Sequence, residues 1–193
     1  MTSSDPDWEL MAQLAKGDDQ ALSALMDRWQ ERLFFFLCRL TGDAASAADL
    51  AQETFVRVYE ARGKVRPNGR FSTWLFTIAK NLSRNLARWR RRHPTVSLDS
   101  PGDREPSAPR EQLPGSESSP GSHLERQEIC EQVRSAVLLL PEPLKETLIL
   151  FEYEDLSYEE IAQIIGCSRK IVEMRLYRAR KSLRKALALK QLL

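Results

Sequence analysis

Reaction chemistry has little to work with in this chain, whereas charge recognition has a great deal. There are only two histidines, His93 and His123, no glycine-rich phosphate loop and no His-Glu-x-x-His pair, so no enzymatic constellation is visible. The three cysteines, Cys38, Cys130 and Cys167, are odd in number and far apart, with no Cys-x-x-Cys spacing, so neither a disulfide framework nor a metal site is expected, and no cofactor is called for. Cations are another matter. Lys+Arg 29 nearly cancel Asp+Glu 27, yet the signs are unevenly spread. From Gly63 to Arg92 there are nine basic residues (Lys64, Arg66, Arg70, Lys80, Arg84, Arg88, Arg90, Arg91, Arg92) and no acid; from Cys167 to Leu193 there are nine more against the single acid Glu173. Two basic segments suggest two contacts with a polyanion, since each Lys or Arg that neutralises a phosphate releases a counterion.

The elements that would carry these charges are helical. Between them, six of the ten prolines (Pro94, Pro101, Pro106, Pro109, Pro114, Pro120) share a Ser-rich stretch without apolar periodicity, which reads as a flexible linker over 93–123. An N-terminal domain over 1–92 and a C-terminal domain over 124–193 are expected on either side, each with its own core. A short helix around Trp8 to Lys16 is followed by one whose stripe runs Leu22, Leu25, Met26, Trp29, Leu33, Phe36, Leu37, Leu40 and ends at Gly42. Asp43 can cap a third helix to about Arg62, burying Ala47, Leu50, Ala51, Phe55 and Val58 and turning Asp49, Gln52, Glu53 and Glu60 to another face. A fourth, from about Ser72 to Arg92, buries Leu75, Ile78, Ala79, Leu82 and Leu86; Trp74, Thr77, Asn81, Arg84 and Arg88 share the opposite face. Arg and Lys mixed with Phe71, Trp74, Phe76 and Trp89 suit a surface that tracks a strand and stacks bases, with Phe71 or Phe76 in the core and Trp74 exposed.

In the C-terminal domain Pro141 and Pro143 separate a helix ending near Leu140 from one reaching about Tyr153. Ser157 and Glu160 fit a capping box for a short helix to about Ile165, Gly166 supplies a turn, and Ser168 can cap a last helix from Arg169. Two helices joined by a short glycine turn, the second one basic, form a helix-turn-helix, whose second helix enters the major groove. Ala162, Gly166 and Val172 stand where the small residue, the turn and the apolar anchor belong. Arg169, Lys170, Glu173 and Met174 are then nearest the base edges, Arg175, Arg178, Arg180 and Lys181 are placed to hold phosphates, and Ser168 at the helix start belongs to the same DNA-binding set. Glu173 can accept from cytosine or instead pair with Arg169 or Tyr177. No strand pattern occurs, so the class is all-α. No apolar run approaches the roughly 20 residues that span a membrane, and Met1 to Glu9 carries three acids in place of a basic signal head, so a cytoplasmic location is expected.

Two ordered motifs carry a resemblance. Asp49-Leu50-Ala51-Gln52-Glu53-Thr54-Phe55 followed by Phe71-Ser72-Thr73-Trp74-Leu75-Phe76-Thr77-Ile78-Ala79-Lys80-Asn81 strongly resembles sigma factors of the extracytoplasmic-function group. Leu156 to Ala162, Gly166-Cys167-Ser168 and Arg175 to Lys181 look like their fourth region. The resemblance implies that Asp49, Gln52 and Glu53 bind the beta-prime clamp helices of core RNA polymerase, with the beta subunit as a further contact. It implies that Lys64, Arg66, Arg70, Trp74, Thr77, Lys80, Asn81, Arg84 and Arg88 meet the minus-ten element, opening the duplex and holding a base of the single strand. Such capture must offset an unstacking cost of about a few kcal/mol. The C-terminal helix-turn-helix would read the minus-thirty-five element, and a stress or envelope response under an anti-sigma factor is implied. Two positions depart from the family pattern: Ala48 stands where an acid is common, which implies a less charged clamp contact, and Glu173 stands where many members have a cation. Elements about 25 base pairs apart lie about 85 Å apart. A linker of about 30 residues spans about 30 Å on average and about 100 Å fully stretched, so it reaches only when held extended. The alternative is a helix-turn-helix regulator acting without polymerase, which predicts a palindromic site and leaves the aromatic basic surface unexplained. A purely protein-binding helical protein would leave both basic segments idle.

Overall fold

The computed structural model describes residues 5–93 and 120–190, and the linker expected between the two flanks falls almost wholly outside them. Among the described residues there are helices and no strand: α1 (Pro6–Ala15), α2 (Gln20–Thr41), α3 (Ala44–Ala61), α4 (Phe71–Arg92), α5 (Pro120–Leu138), α6 (Glu142–Glu152), α7 (Tyr158–Ile165) and α8 (Arg169–Lys190). The expected ends agree to within a few residues, because local chemistry sets them. Asp43 accepts from the Ala45 and Ser46 N–H groups to start α3. Ser157 accepts from the Glu160 N–H while the Glu160 carboxylate accepts from the Ser157 N–H, a reciprocal capping box that starts α7. Gly166 ends α7 at φ +73°, a left-handed conformation that a side chain disfavours, and the chain turns at once into α8.

In the N-terminal unit, α2 is the central column, against which α1, α3 and α4 pack. Leu25, Leu33, Phe36 and Leu37 are fully buried along it. The rings of Phe36 and Phe76 meet edge-on at 4.9 Å, and Trp29 meets Phe76 edge-on at 6.1 Å. Both Phe71 and Phe76 are core residues. In the C-terminal unit α8 packs on α5, α6 and α7 through Val172, Leu176 and Ala179.

The two units do not stand apart with separate cores. α4 packs against α7 and α2 against α5 and α6, and buried apolar residues of both units join in one cluster. Ion pairs line the junction, and the crossing pairs seen among the described residues share one polarity. Arg32 donates to Glu154 (2.6 Å), Arg70 pairs with Glu160 (3.3 Å), Arg84 with Glu146 (2.7 Å) and Arg91 with Glu142 (3.5 Å). In each, the cation comes from the N-terminal unit and the carboxylate from the C-terminal one. Lys145, donating to the Leu40 carbonyl at 2.8 Å, runs the other way but meets no carboxylate there.

Candidate nucleic-acid interface

On α3 the apolar stripe turns Ala47, Ala51, Phe55 and Val58 inward. Asp49, Gln52 and Glu60 therefore emerge on the outside, with Glu53 half-buried beside them. Glu53 accepts from Arg57 Nε at 2.8 Å and Glu60 from Arg57 Nη1 at 3.4 Å, so part of this acidic face is neutralised within the helix. Val56 lies on the same face and is 48% exposed. Sequence reasoning passed it over, although its position, four after Gln52 and one off the buried Phe55, already placed it outside the core stripe.

The loop before α4 keeps Lys64, Arg66 and Arg70 exposed, and further along Asn81 and Arg88 are exposed as well. Thr77 is half-buried and spends its hydroxyl on the Thr73 carbonyl at 2.7 Å. Two expectations for α4 are revised. Trp74 is half-buried, its ring 5.5 Å from Trp8 and 5.6 Å from Phe71, because α1 covers it. Lys80 is 4% exposed, and its Nζ donates to the Ile164 carbonyl at 2.6 Å. One residue before Asn81, it is turned by about 100° around the helix and so faces α7. Loss of hydration holds the Lys80 ammonium below its ordinary pKa; neighbouring Arg84 adds to the effect and Glu146 opposes it.

Arg84 makes a bidentate pair, Nε and Nη2 donating to the two Glu146 oxygens at 2.7 and 2.8 Å. Glu146 is 2% exposed, and its hydrogen bonds raise the guanidinium pKa still further. At the end of α4, Trp89 stacks beside His93 (5.2 Å) and Arg90 reaches the α3 cap Asp43 (3.3 Å).

The helix-turn-helix presents a different picture. Ser168, Arg169, Lys170, Glu173, Met174, Arg178, Arg180 and Lys181 are all exposed, whereas Arg175 is half-buried with its Nη1 covered. Arg169 pairs with Glu159 of α7 (2.9 Å), so that the Glu173 side chain stands free of the local pair the sequence allowed it with Arg169. Arg180 donates to Glu152 (2.8 Å) over the Phe151 ring. Tyr177 is 63% exposed in the stripe Lys170, Met174, Tyr177, Lys181, and its spacing alone would have added it to the candidates. Among the described residues no cluster of His, Cys, Asp and Glu is arranged to hold a metal ion, and no helix is long and apolar enough to cross a membrane.

Comparison with known proteins bears on both surfaces. Residues 25–93 match "Sigma-70 region 2" and residues 130–183 match "Sigma-70, region 4". The chain is 35% identical to the RNA polymerase sigma-H factor of Pseudomonas aeruginosa over 97% of its own length and 96% of that protein's. It is 30% identical to the ECF RNA polymerase sigma factor SigW of Bacillus subtilis, covering 91% of this chain and 93% of the other. Among solved structures, that of CnrH in complex with the cytosolic domain of CnrY aligns over 96% of this chain and 99% of its own, with a TM-score of 0.69 at 26% identity.

Proposed function

Because the chain belongs to the extracytoplasmic-function group of the sigma-70 family, we propose how its surfaces divide the work of an RNA polymerase initiation subunit. It binds core polymerase and directs promoter-specific transcription initiation, and it supplies recognition in place of reaction chemistry. The outward face of α3, with Asp49, Gln52, Glu53 and the exposed Val56, takes the clamp helices of the core. The loop at 63–70 and the outer side of α4 meet the minus-ten element, with Asn81 and Arg88 already accessible and Lys80 and Arg84 reached only when α7 and α6 move away. The outer stripe of α8 reads the minus-thirty-five element.

The observation that carries this division is the change of sign between consecutive segments. Asp49, Gln52 and Glu60 project from α3, and the next segment, 63–92, holds nine cations and no acid. One stretch of chain thus offers a surface suited to a protein partner beside one suited to phosphates.

The packed arrangement is a closed resting form on this reading. Carboxylates of the C-terminal unit occupy cations of the N-terminal unit in the way promoter phosphates would, so engagement of core and DNA must replace those pairs. CnrH was solved with the cytosolic domain of CnrY, and we extend that kind of capture to this chain as restraint by an anti-sigma factor.

Run-off transcription with purified core polymerase on genomic promoter fragments tests the reading, with a Gln52→Ala, Glu53→Ala double variant alongside. Specific initiation that requires the chain and weakens in the variant is expected. Tight duplex binding without any effect on core polymerase would instead favour the independent regulator.

A further inference from the structure

α4 begins without a cap from its own neighbourhood. Arg70 stands at the N-cap position with extended backbone (φ −76°, ψ 143°), and its side chain makes no capping hydrogen bond. A helix start leaves N–H groups in need of an acceptor, usually a nearby Ser, Thr, Asp or Asn. Here the acceptor comes from 66 residues away: Asp5 Oδ2 accepts the Phe71 N–H at 2.8 Å. The other oxygen of the same carboxylate, Oδ1, accepts the Asp7 N–H at 3.1 Å and caps α1. One side chain therefore starts two helices.

Trp8, in the first turn of α1, completes the hold. Its indole N–H donates to the Gly69 carbonyl at 2.9 Å, and its ring lies edge-on to Phe71 at 5.4 Å. Gly69 has φ +78°, a conformation that suits glycine and here accompanies the carbonyl's turn toward Trp8. The backbone on both sides of Arg70 is thus pinned by α1. α1 is itself anchored on α2, where buried Asp7 pairs with Arg28 and accepts from Trp29 Nε1 at 3.0 Å. The stretch matched to sigma region 2 starts only at residue 25, so Asp5 and Trp8 lie before it while Gly69 and Phe71, which they hold, lie within it.

We infer that Asp5 and Trp8 are positioning residues for promoter opening, holding the end of the 63–70 loop and the first turn of α4 in the geometry that receives the separated strand. The inference rests on the reading that this loop and helix meet the minus-ten element. A loop held in its bound geometry loses less conformational freedom when DNA arrives, so more of the contact energy remains to offset unstacking. The Asp5 carboxylate also fills the N-terminus of α4, a place that would otherwise attract a phosphate, and so directs the backbone to the side of the helix.

The test compares Asp5→Ala with Asp18→Ala, which removes a similar local acceptor, that of the Gln20 N–H at the start of α2 (3.1 Å), without touching α4. Two readouts are taken. Hydrogen exchange at the Phe71 amide in the free chain should accelerate in Asp5→Ala and stay at the wild-type rate in Asp18→Ala. Permanganate reactivity of unpaired thymines, on fragments that wild-type chain and core polymerase open, should fall about fivefold in Asp5→Ala, the effect of one lost cap. Core binding should hold for both variants. Trp8→Phe, which keeps a ring but loses the indole N–H, should shift both readouts the same way by less, and it serves if Asp5→Ala folds poorly.

Unchanged Phe71 exchange in Asp5→Ala would overturn the inference. So would an equal loss of opening in Asp18→Ala, since that would be general destabilisation. If the wild-type chain opens nothing with core polymerase, the sigma reading fails and takes the positioning role with it; the exchange result still decides whether the Asp5 contact exists.

Discussion

α4 and α8 are both 22-residue basic helices, yet they use their cations differently. Along α4, Arg84 and Arg91 reach carboxylates of the other unit, and Lys80 is buried against it. Along α8, Arg169 and Arg180 pair with Glu159 and Glu152 of their own unit, while Lys170, Arg178 and Lys181 stay exposed. The lesson is that opening the molecule changes what α4 offers to DNA far more than what α8 offers. On the proposed division of surfaces, a closed chain would touch an upstream duplex element and still be unable to use its minus-ten surface.

The sharpest way to break this contrast is at the pair that crosses the junction under most cover. Glu146→Ala leaves Arg84 without its bidentate partner and should weaken closure by about 3 kcal/mol, the low end for a broken buried pair because Arg84 retains some contact with water. Small-angle scattering should then give a radius of gyration well above the roughly 16 Å of a compact chain this long. Glu159→Ala, which removes a pair internal to the C-terminal unit, should leave the radius unchanged. Equal expansion in both variants would mean that the direction of the pairs is irrelevant to closure.

A smaller effect sharpens the other half of the contrast. Arg178→Ala should reduce the slope of log affinity against log salt for a duplex minus-thirty-five site by about one. Glu146→Ala should leave that affinity unaltered. A rise in duplex affinity on Glu146→Ala would show that α8 is masked as well, and the comparison would fall.

The smallest effects come from pH. Burial lowers the Lys80 pKa in the closed form, so between that lowered value and the ordinary 10.5 an open form binds more protons; raising pH through this window favours closure. Burial alone would raise the Glu160 carboxyl, but hydrogen bonds from the Ser157 side chain and backbone, with Arg70 nearby, bring it below 4.5. The Ser157 hydrogen bonds lie within the C-terminal unit and persist when the chain opens, so only the smallest contribution, the charge of Arg70, acts on closure; that part is complete above 4.5 and is lost as pH falls through the lowered folded value. Fluorescence energy transfer between dyes on the two units should therefore rise slightly toward alkaline pH and fall on acidification. A flat alkaline limb in the wild type would remove Lys80 from the balance.

Much of this molecule is legible locally. The Ser157 and Glu160 capping box, the Gly166 turn, the Asp43 cap and the 3.6-residue stripes of α2 and α3 depend on residues within a few positions of each other, which is the range over which a sequence can be read directly. The division between acidic α3 and the basic segment after it is equally visible, because charge along a chain needs no coordinates. Periodicity also placed Asn81 and Arg88 outside correctly.

It could not place Lys80, Trp74 or Asp5. A lysine next to a polar stripe reads as solvated until a carbonyl 84 residues away comes within 2.6 Å of it, and an exposed-looking indole is covered only because α1 folds across it. The acceptor that starts α4 lies 66 residues upstream, beyond any capping pattern. The sequence by itself therefore determined the helices, the caps made by near neighbours and the signs of the helix faces, all consequences of short-range hydrogen bonding and alternation. Only the tertiary structure decided which charges stay available, because burial and ion pairing depend on what the rest of the chain brings alongside.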